Sequence, residues 1–374
     1  MHTNRRFPLL SISRWSKTLV LNFLRAIGIP LAAVIVGLLI GTAVLVAHGV
    51  NAMAAYSALW QGSFGNLVAI GRTLEKTTPL VFSGLALAFA FKAGLFNIGA
   101  QGQLLLGALA AAVVGFGLKG LPAVIHIPLA LLSGAAVSGL YAFLQGVLKV
   151  YTGAHEVITG IMLNYVAINL TDYLVAGPFK DPTPGNIIAR TALIQETSQI
   201  PQLGCLPLGF VIGLGAALIL WWLMKKTILG FELRTIGLNV SAAQYAGINV
   251  KRLLVLTMFF SGILAGLGGA VETQGVVHRY QPGFNVGLGF DGITIALLAR
   301  AHPLGVIPAA LLVGAMRAGS NQMQFSAGVS PEIIDVILAL ILFLVAADRL
   351  LRWMLYRKGV ETRLPALSTG WGQQ

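Results

Sequence analysis

Residues Ile127 to Lys149 read IPLALLSGAAVSGLYAFLQGVLK, and no charge interrupts them before the last position. At 1.5 Å per residue such a run is long enough to cross the roughly 30 Å hydrocarbon core of a bilayer as one helix. Similar apolar stretches recur at 26–48, 79–91, 95–118, 155–177, 207–224, 253–275, 288–299, 303–320 and 332–347. A crossing needs about 20 residues, so 79–91 and 288–299 are short. Each extends into its flanks, breaks, or re-enters the membrane, and backbone at a break must line protein or water. The pattern predicts an all-α integral membrane protein with about 8–10 transmembrane helices, counting short, broken or re-entrant ones.

Composition points the same way. The chain of 374 residues is 56% hydrophobic and 10% charged, whereas a soluble domain carries about 25% charged residues. So few charges cannot cover a water-facing surface, so the lipid bilayer is the expected surrounding. Its 45 glycines suit closely packed transmembrane helices. The net charge of +13 does not indicate nucleic-acid binding: the basic residues sit at segment ends, not along one solvated stripe. Cys205 is the only cysteine, which excludes an intrachain disulfide and a multi-cysteine metal site. His126, His278 and His302 are scattered, nothing resembles a catalytic triad or zinc cluster, and no cofactor is implied. The first apolar run, 26–47, is too long for a signal-peptide core and reads as a retained span after a basic leader.

Charge sets the expected orientation. The leader 1–25 holds Arg5, Arg6, Arg14, Lys17 and Arg25. The segment after the sixth stretch holds Lys225, Lys226, Arg234, Lys251 and Arg252. The tail holds Arg349, Arg352, Arg357, Lys358 and Arg363. An even number of crossings separates these segments, so all three, with both termini, go to the cytoplasm of a cell-membrane protein. The transmembrane domain spans 26–350, with an outer loop at 177–206 and a tail at 351–374. The outer loop has no positive bias, and its Asp181-Pro182-Thr183-Pro184-Gly185-Asn186 run is turn chemistry.

The cytoplasmic segment 225–252 contains Ser241-Ala242-Ala243-Gln244, a capping-box pattern with Ser241 as cap. Ala242, Ala243 and Ala246 favour helix, and Gly247 is placed to end it in the left-handed conformation. A short helix over 241–246 is expected, with Glu232, Arg234, Asn239 and Gln244 offering polar contacts. By itself this is an interhelical loop with one turn or a docking element for a cytoplasmic partner.

Several ordered motifs then resemble one family, the permeases of importers of the ribose/branched-chain-amino-acid type. They are GLALAFAFKAGLFNIGAQGQ at Gly84–Gln103, Phe231–Arg252 with Gly237, Asn239, Ala243, Ala246 and Gly247, Gly266–Ala270, Phe290-Asp291-Gly292-Ile293, and Pro303-Leu304-Gly305. The resemblance runs from about residue 60 to 350. His155–Tyr165 and the Asp181–Ile194 loop resemble the branch associated with nucleoside uptake through basic-membrane-protein-type lipoproteins. The resemblance implies a permease subunit of an ATP-binding-cassette importer, passing nucleosides or related neutral solutes inward by alternating access. It also implies a separate ATP-binding subunit, a second permease (identical or related) and an extracytoplasmic solute-binding protein. The 241–247 helix becomes the coupling helix, with Glu232, Arg234, Gly237, Asn239, Ser241, Ala243, Gln244, Ala246 and Gly247 as its residues. No G-x-x-x-x-G-K-[ST] occurs, so the chain has no P-loop and is not expected to be an enzyme. A simple-sugar importer permease and an ion-driven secondary transporter are the alternative readings.

Polar residues at membrane depth are the candidates for the solute pathway. The first group, Asn97, Gln101 and Gln103 beside Phe96, occupies a break between two spans; such amides suit a hydroxyl-rich solute or join neighbouring helices. In the second, Glu156 and Asn164 share roughly one helical face, while His155 and Glu156 can equally be a capping or snorkelled pair. The third is Glu272, Gln274, Asp291 and Arg300, with Asp291 placed to cap the 288–299 segment. Lys92 and Arg300 end short apolar segments and read as snorkelling to the inner surface.

Overall fold

The computed structural model describes residues 12–283 and 287–346, with side chains at Gly28 and from Pro30 onward. Residues 1–11 of the basic leader and residues 347–374, which include the whole tail 351–374, lie outside the described residues. The chain runs α1 (Ile12–Ala47), α2 (Ala52–Phe64), α3 (Leu67–Lys92), α4 (Ala100–Gly117), α5 (Ala123–Thr152), α6 (Glu156–Ala176), a two-stranded ribbon of β1 (Gln202–Leu203) and β2 (Leu206–Pro207), α7 (Leu208–Lys226), α8 (Ile228–Leu238), α9 (Val240–Tyr245), α10 (Val250–Glu272), α11 (Leu288–Leu298), α12 (Pro303–Ala327) and α13 (Glu332–Ala346). Among the described residues eight helices are long and apolar enough to cross a membrane: α1, α3, α4, α5, α6, α7, α10 and α12. The chain is a multi-pass, all-α membrane protein.

Two short stretches resolve differently. The 79–91 run is the second half of α3, a 26-residue helix with Pro79 inside it. Its first turns carry Arg72, Glu75 and Lys76, charges that cut the apolar run short although the helix continues through them. The 288–299 run stays short: α11 has 11 residues, about 16 Å of helix at 1.5 Å per residue, half a crossing. It turns into α12 through Arg300 and Ala301, both at left-handed φ (51° and 52°). The short helix α2 had no counterpart in the apolar pattern, because its mixed sequence AMAAYSALWQGSF is only moderately hydrophobic.

α10 lies at the centre, packed on α3, α4 and α5. The approach is close because small residues meet there. A Cβ on Gly107 would collide with Gly266 and with the Ser138 hydroxyl, which is the packing membrane helices use when lipid removes the hydrophobic drive between them. The bundle has two distinct ends. At one, Gly237 of α8 packs on the carbonyl of Lys92 at the end of α3. At the other, the 177–206 segment covers the ends of α4, α5 and α10. The exposed faces of α5 to α7 carry Leu132, Leu140, Met162, Val166, Leu218 and Ile219, as contact with hydrocarbon requires.

Candidate functional site

The break between α3 and α4 is built from amides. Gly94 (φ 74°) ends α3, with Gly94 and Leu95 amides donating to Phe91 and Ala90 carbonyls. Phe96 folds back on Phe91, ring centroids 5.0 Å apart. The Asn97 amide donates to Gln103 Oε1 and Ser261 Oγ, both at 2.8 Å. Gln103 Nε2 donates to Asn97 Oδ1 at 3.0 Å and to Gln145 Oε1 at 3.2 Å. Asn164, from α6, accepts from the Gly102 amide at 2.8 Å and donates to the Ile98 carbonyl at 2.9 Å. It thereby caps the start of α4, where Gly99 has no side chain to do so. Gln101 accepts from the Gly289 amide at 2.7 Å, capping α11. Asn97, Gln101, Gln103, Gln145 and Asn164 are all buried. The break therefore ties α4 to α5, α6, α10 and α11. Gln145 and Ser261 belong to the lock but carried no signal in the sequence, because a lone Gln or Ser in an apolar span resembles any other.

The second group separates. His155 is the N-cap of α6, its Nδ1 accepting from the Val157 amide at 3.3 Å. Glu156 pairs with Lys149 of α5 at 2.7 Å, while Asn164 serves α4. Glu156 and Asn164 are both buried on α6 but bind different elements, so they do not converge.

The third group also divides. Glu272 is buried near the end of α10, just before a π-turn at Thr273–Val277. Gln274 Nε2 donates to the Ser198 carbonyl and hydroxyl at 2.9 and 3.1 Å. The expected cap at Asp291 is corrected: Gly287 is the N-cap of α11, and Asp291 lies within the helix, 2.6 Å from Arg317 Nε of α12. Arg317 also meets Asp335 of α13 at 3.2 Å. Arg317 and Asp335 were missed, although each is an ionisable residue inside a predicted span.

Around the π-turn the loop-bearing end is strapped shut. The amides of Thr191, Ile194 and Ile200 donate to the carbonyls of Tyr280, His278 and Gln274 at 2.9, 3.0 and 3.0 Å. His126 of α5 holds Thr197 at 2.9 Å. Burial lowers the His278 pKa and pushes the Tyr280 phenol up to about 12. Further along the loop, Thr183 bonds Asp181 with its hydroxyl (2.6 Å) and amide (3.1 Å). These bonds, aided by Arg190, lower the Asp181 pKa.

At the opposite end stand α8 and α9. Thr227 caps α8. Asn239, in extended backbone (φ −161°), caps α9 by accepting from the Ala242 amide at 2.9 Å. The helix thus starts at Val240, and the expected capping by Ser241 is corrected: Asn239 reaches the free amides first, leaving Ser241 exposed in the first turn. Gly247 does end the turn with left-handed φ (80°). Gly237 must lack a side chain, since its Cβ would strike the Lys92 carbonyl oxygen. Ala243 is fully buried. Arg234 donates to the Gly230 carbonyl at 3.1 Å and is exposed, as are Gln244 and Ala246, while Glu232 is half-buried. Tyr245, 95% exposed, and Leu238 stand out from this pair of short helices. Beside them His302, at the α11–α12 turn, has its pKa lowered by burial and by the charges of Lys92 and Lys225.

No solved structure matches the chain. It is 40% identical to the guanosine ABC transporter permease protein NupP of Bacillus subtilis, over 87% of this chain and 95% of that protein. It is 34% identical to the nucleoside ABC transporter permease protein NupB of Lactococcus lactis, over 89% and 94%. A glucose ABC transporter permease protein of Haloferax volcanii is 33% identical, over 90% of each chain. Residues 69–346 match the family described as branched-chain amino acid transport system, permease component. With that match covering α3 to α13, the chain belongs to this family of transport-system permeases.

Proposed function

We propose that this chain is the membrane-spanning permease of an ATP-driven importer for nucleosides. The observation that carries the substrate is the near full-length similarity to a guanosine and a nucleoside permease. The glucose permease relative keeps a sugar as the second reading. In this account a cytoplasmic ATP-binding subunit, a second permease and an extracytoplasmic solute-binding protein complete the transporter. The α8–α9 end, the leader and the tail face the cytoplasm, which their basic residues favour; the 177–206 loop faces outward.

α9 is the docking element for the ATPase. Its role divides by burial: Ala243 and Gly237 seat it on the bundle, Asn239 and Gly247 define its ends, and Tyr245 with Ser241, Gln244 and Ala246 meets the partner. The amide lock at Asn97, Gln101, Gln103 and Asn164 fixes the helices whose relative motion changes access, since its polar groups are engaged with one another. Glu156, with its lysine partner, serves the same purpose at the α5–α6 turn. Glu272 sits beneath the outer strap, where it can shape the entry to the pathway.

The test is uptake of labelled guanosine and labelled glucose in cells with and without this chain, before and after ATP depletion. ATP-dependent guanosine uptake that disappears with the chain supports the proposal. Loss of glucose uptake alone would move the substrate.

A further inference from the structure

The C-terminal half of α12 carries polar side chains on an open face. Arg317, Asn321 and Gln324 recur at helical spacing on one face, and Asn321 and Gln324 are exposed. Across from them, Asp335 of α13 approaches Arg317 at 3.2 Å, yet its side chain remains 60% exposed. Phe290, next to Asp291 in α11, and Phe325, next to Gln324, are exposed as well, by 44% and 88%.

Depth decides what such a surface can face. Gly292 packs on the backbone of Ser83, which lies roughly 13 Å along α3 from Lys92 at 1.5 Å per residue. Asp291 is therefore inside the bilayer slab. Its 2.6 Å pairing with Arg317 brings the guanidinium to that depth, and Asp335 follows through its own contact. Asp291, largely buried, and Arg317 neutralise each other, which leaves Asp335 as net negative charge on an open face. A carboxylate in contact with lipid tails there is strongly disfavoured, so the face borders water or protein.

We propose that Arg317, Asn321 and Gln324 of α12 with Asp335 of α13 form a wall of the solute pathway, and that the Asp335 carboxylate takes the ribose hydroxyls of a nucleoside. The inference rests on the nucleoside reading above. A carboxylate with one oxygen held by a guanidinium presents the other to neighbouring hydroxyl donors, and such charge-assisted bonds are short and directional. Asn321 and Gln324 supply donors and acceptors for base edges, and the two phenylalanines supply flat apolar surface for a base. A few such contacts, each open to exchange with water, suit a passage that must release its solute. The competing occupant of the same face is the second permease.

The test uses the complete reconstituted importer, with the binding protein saturated by either guanosine or 2′,3′-dideoxyguanosine. The expected result is that Asp335→Asn lowers the ratio of guanosine to dideoxyguanosine transport rates at least fivefold, and Asp335→Glu restores part of it. Equal slowing of both solutes, or no change in the ratio, would overturn the proposal and leave Asp335 a structural ion-pair partner. Should Asp335→Asn fail to assemble, Asn321→Cys in a Cys205→Ser background reads the same face. The wall requires labelling by a membrane-impermeant cationic thiol reagent and protection by guanosine transport. No labelling, or labelling that guanosine leaves unchanged, means lipid or the second permease covers the strip, and overturns the assignment. If the unsubstituted importer moves no nucleoside at all, the nucleoside reading fails first, and the ribose contact with it.

Discussion

At the scale of single residues the bundle depends on polar groups whose partners lie far away in sequence. Asn97→Ala removes both of its bonds to Gln103, leaving the buried Gln103 oxygen without its donor and its nitrogen on Gln145 alone. Its expected cost is about 1–3 kcal/mol of stability, read as a lower midpoint in thermal unfolding of the purified chain, with cargo preference unchanged. A preserved midpoint would show that water replaces Asn97 freely and that the lock is not structural. Gly237→Ala is expected to be comparably harmful, about 1–3 kcal/mol, because the added methyl meets the Lys92 carbonyl oxygen. Sequence picked out Asn97, Gln101 and Gln103 as unusual, but not what they touch. Amide chemistry is visible in a string of letters, whereas the Gln145 and Ser261 partners are selected by helix packing that only the assembled bundle defines. Ser241 shows the same limit at short range: two neighbouring cap candidates compete, and backbone conformation at Asn239 decides between them.

Among elements, α9 and the outer strap are the two devices with separable roles. Tyr245→Ala deletes the most exposed ring on α9 without touching the core. It is expected to reduce ATP-driven uptake about tenfold, the effect of losing about 1.4 kcal/mol from a docking contact, while unfolding stability stays the same. Unchanged uptake would place ATPase docking elsewhere. The strap from Thr191 to Ile200 is anchored in part on His278, whose carbonyl accepts from the Ile194 amide. Burial lowers its pKa, so the unfolded strap binds protons more readily, and strap stability falls as pH drops through the ordinary histidine range. Asp181 has the same sign in a lower window: its lowered pKa keeps its contribution complete above the ordinary carboxylate range, so it adds no slope between about pH 7.5 and pH 5.5. Amide exchange at Ile194 and Ile200, corrected for intrinsic rates, should therefore accelerate between about pH 7.5 and pH 5.5. His278→Asn should flatten that dependence; an unchanged slope would remove His278 from the mechanism. Helix number was largely legible, because an uncharged run of span length has no stable place facing water. The start of α3 was not, since Arg72, Glu75 and Lys76 belong to a helix that reaches the strapped end of the bundle. The short run at 288–299 already announced the half-length of α11, but not the Gln101 side chain that caps it.

For the whole molecule, the proposed reading makes one working unit of a strapped end set outward, an amide-locked core and a docking helix set toward the cytoplasm. The family was readable from ordered motifs because they mark the break, the α8–α9 segment and the glycine contacts that geometry requires. The triad of Asp291, Arg317 and Asp335 was not, because its members come from three helices and converge only in the folded bundle. As proposed, this chain moves nucleosides inward at the expense of ATP hydrolysed by a partner subunit. The direct measurement is guanosine accumulation in proteoliposomes holding this chain, its ATP-binding subunit, second permease and loaded binding protein. ATP is supplied to the α9 side in one arm, and an ion gradient without ATP in the other. Accumulation with ATP alone, abolished by omitting the ATP-binding subunit, is the predicted result. Accumulation driven by the ion gradient in the absence of ATP would contradict the account.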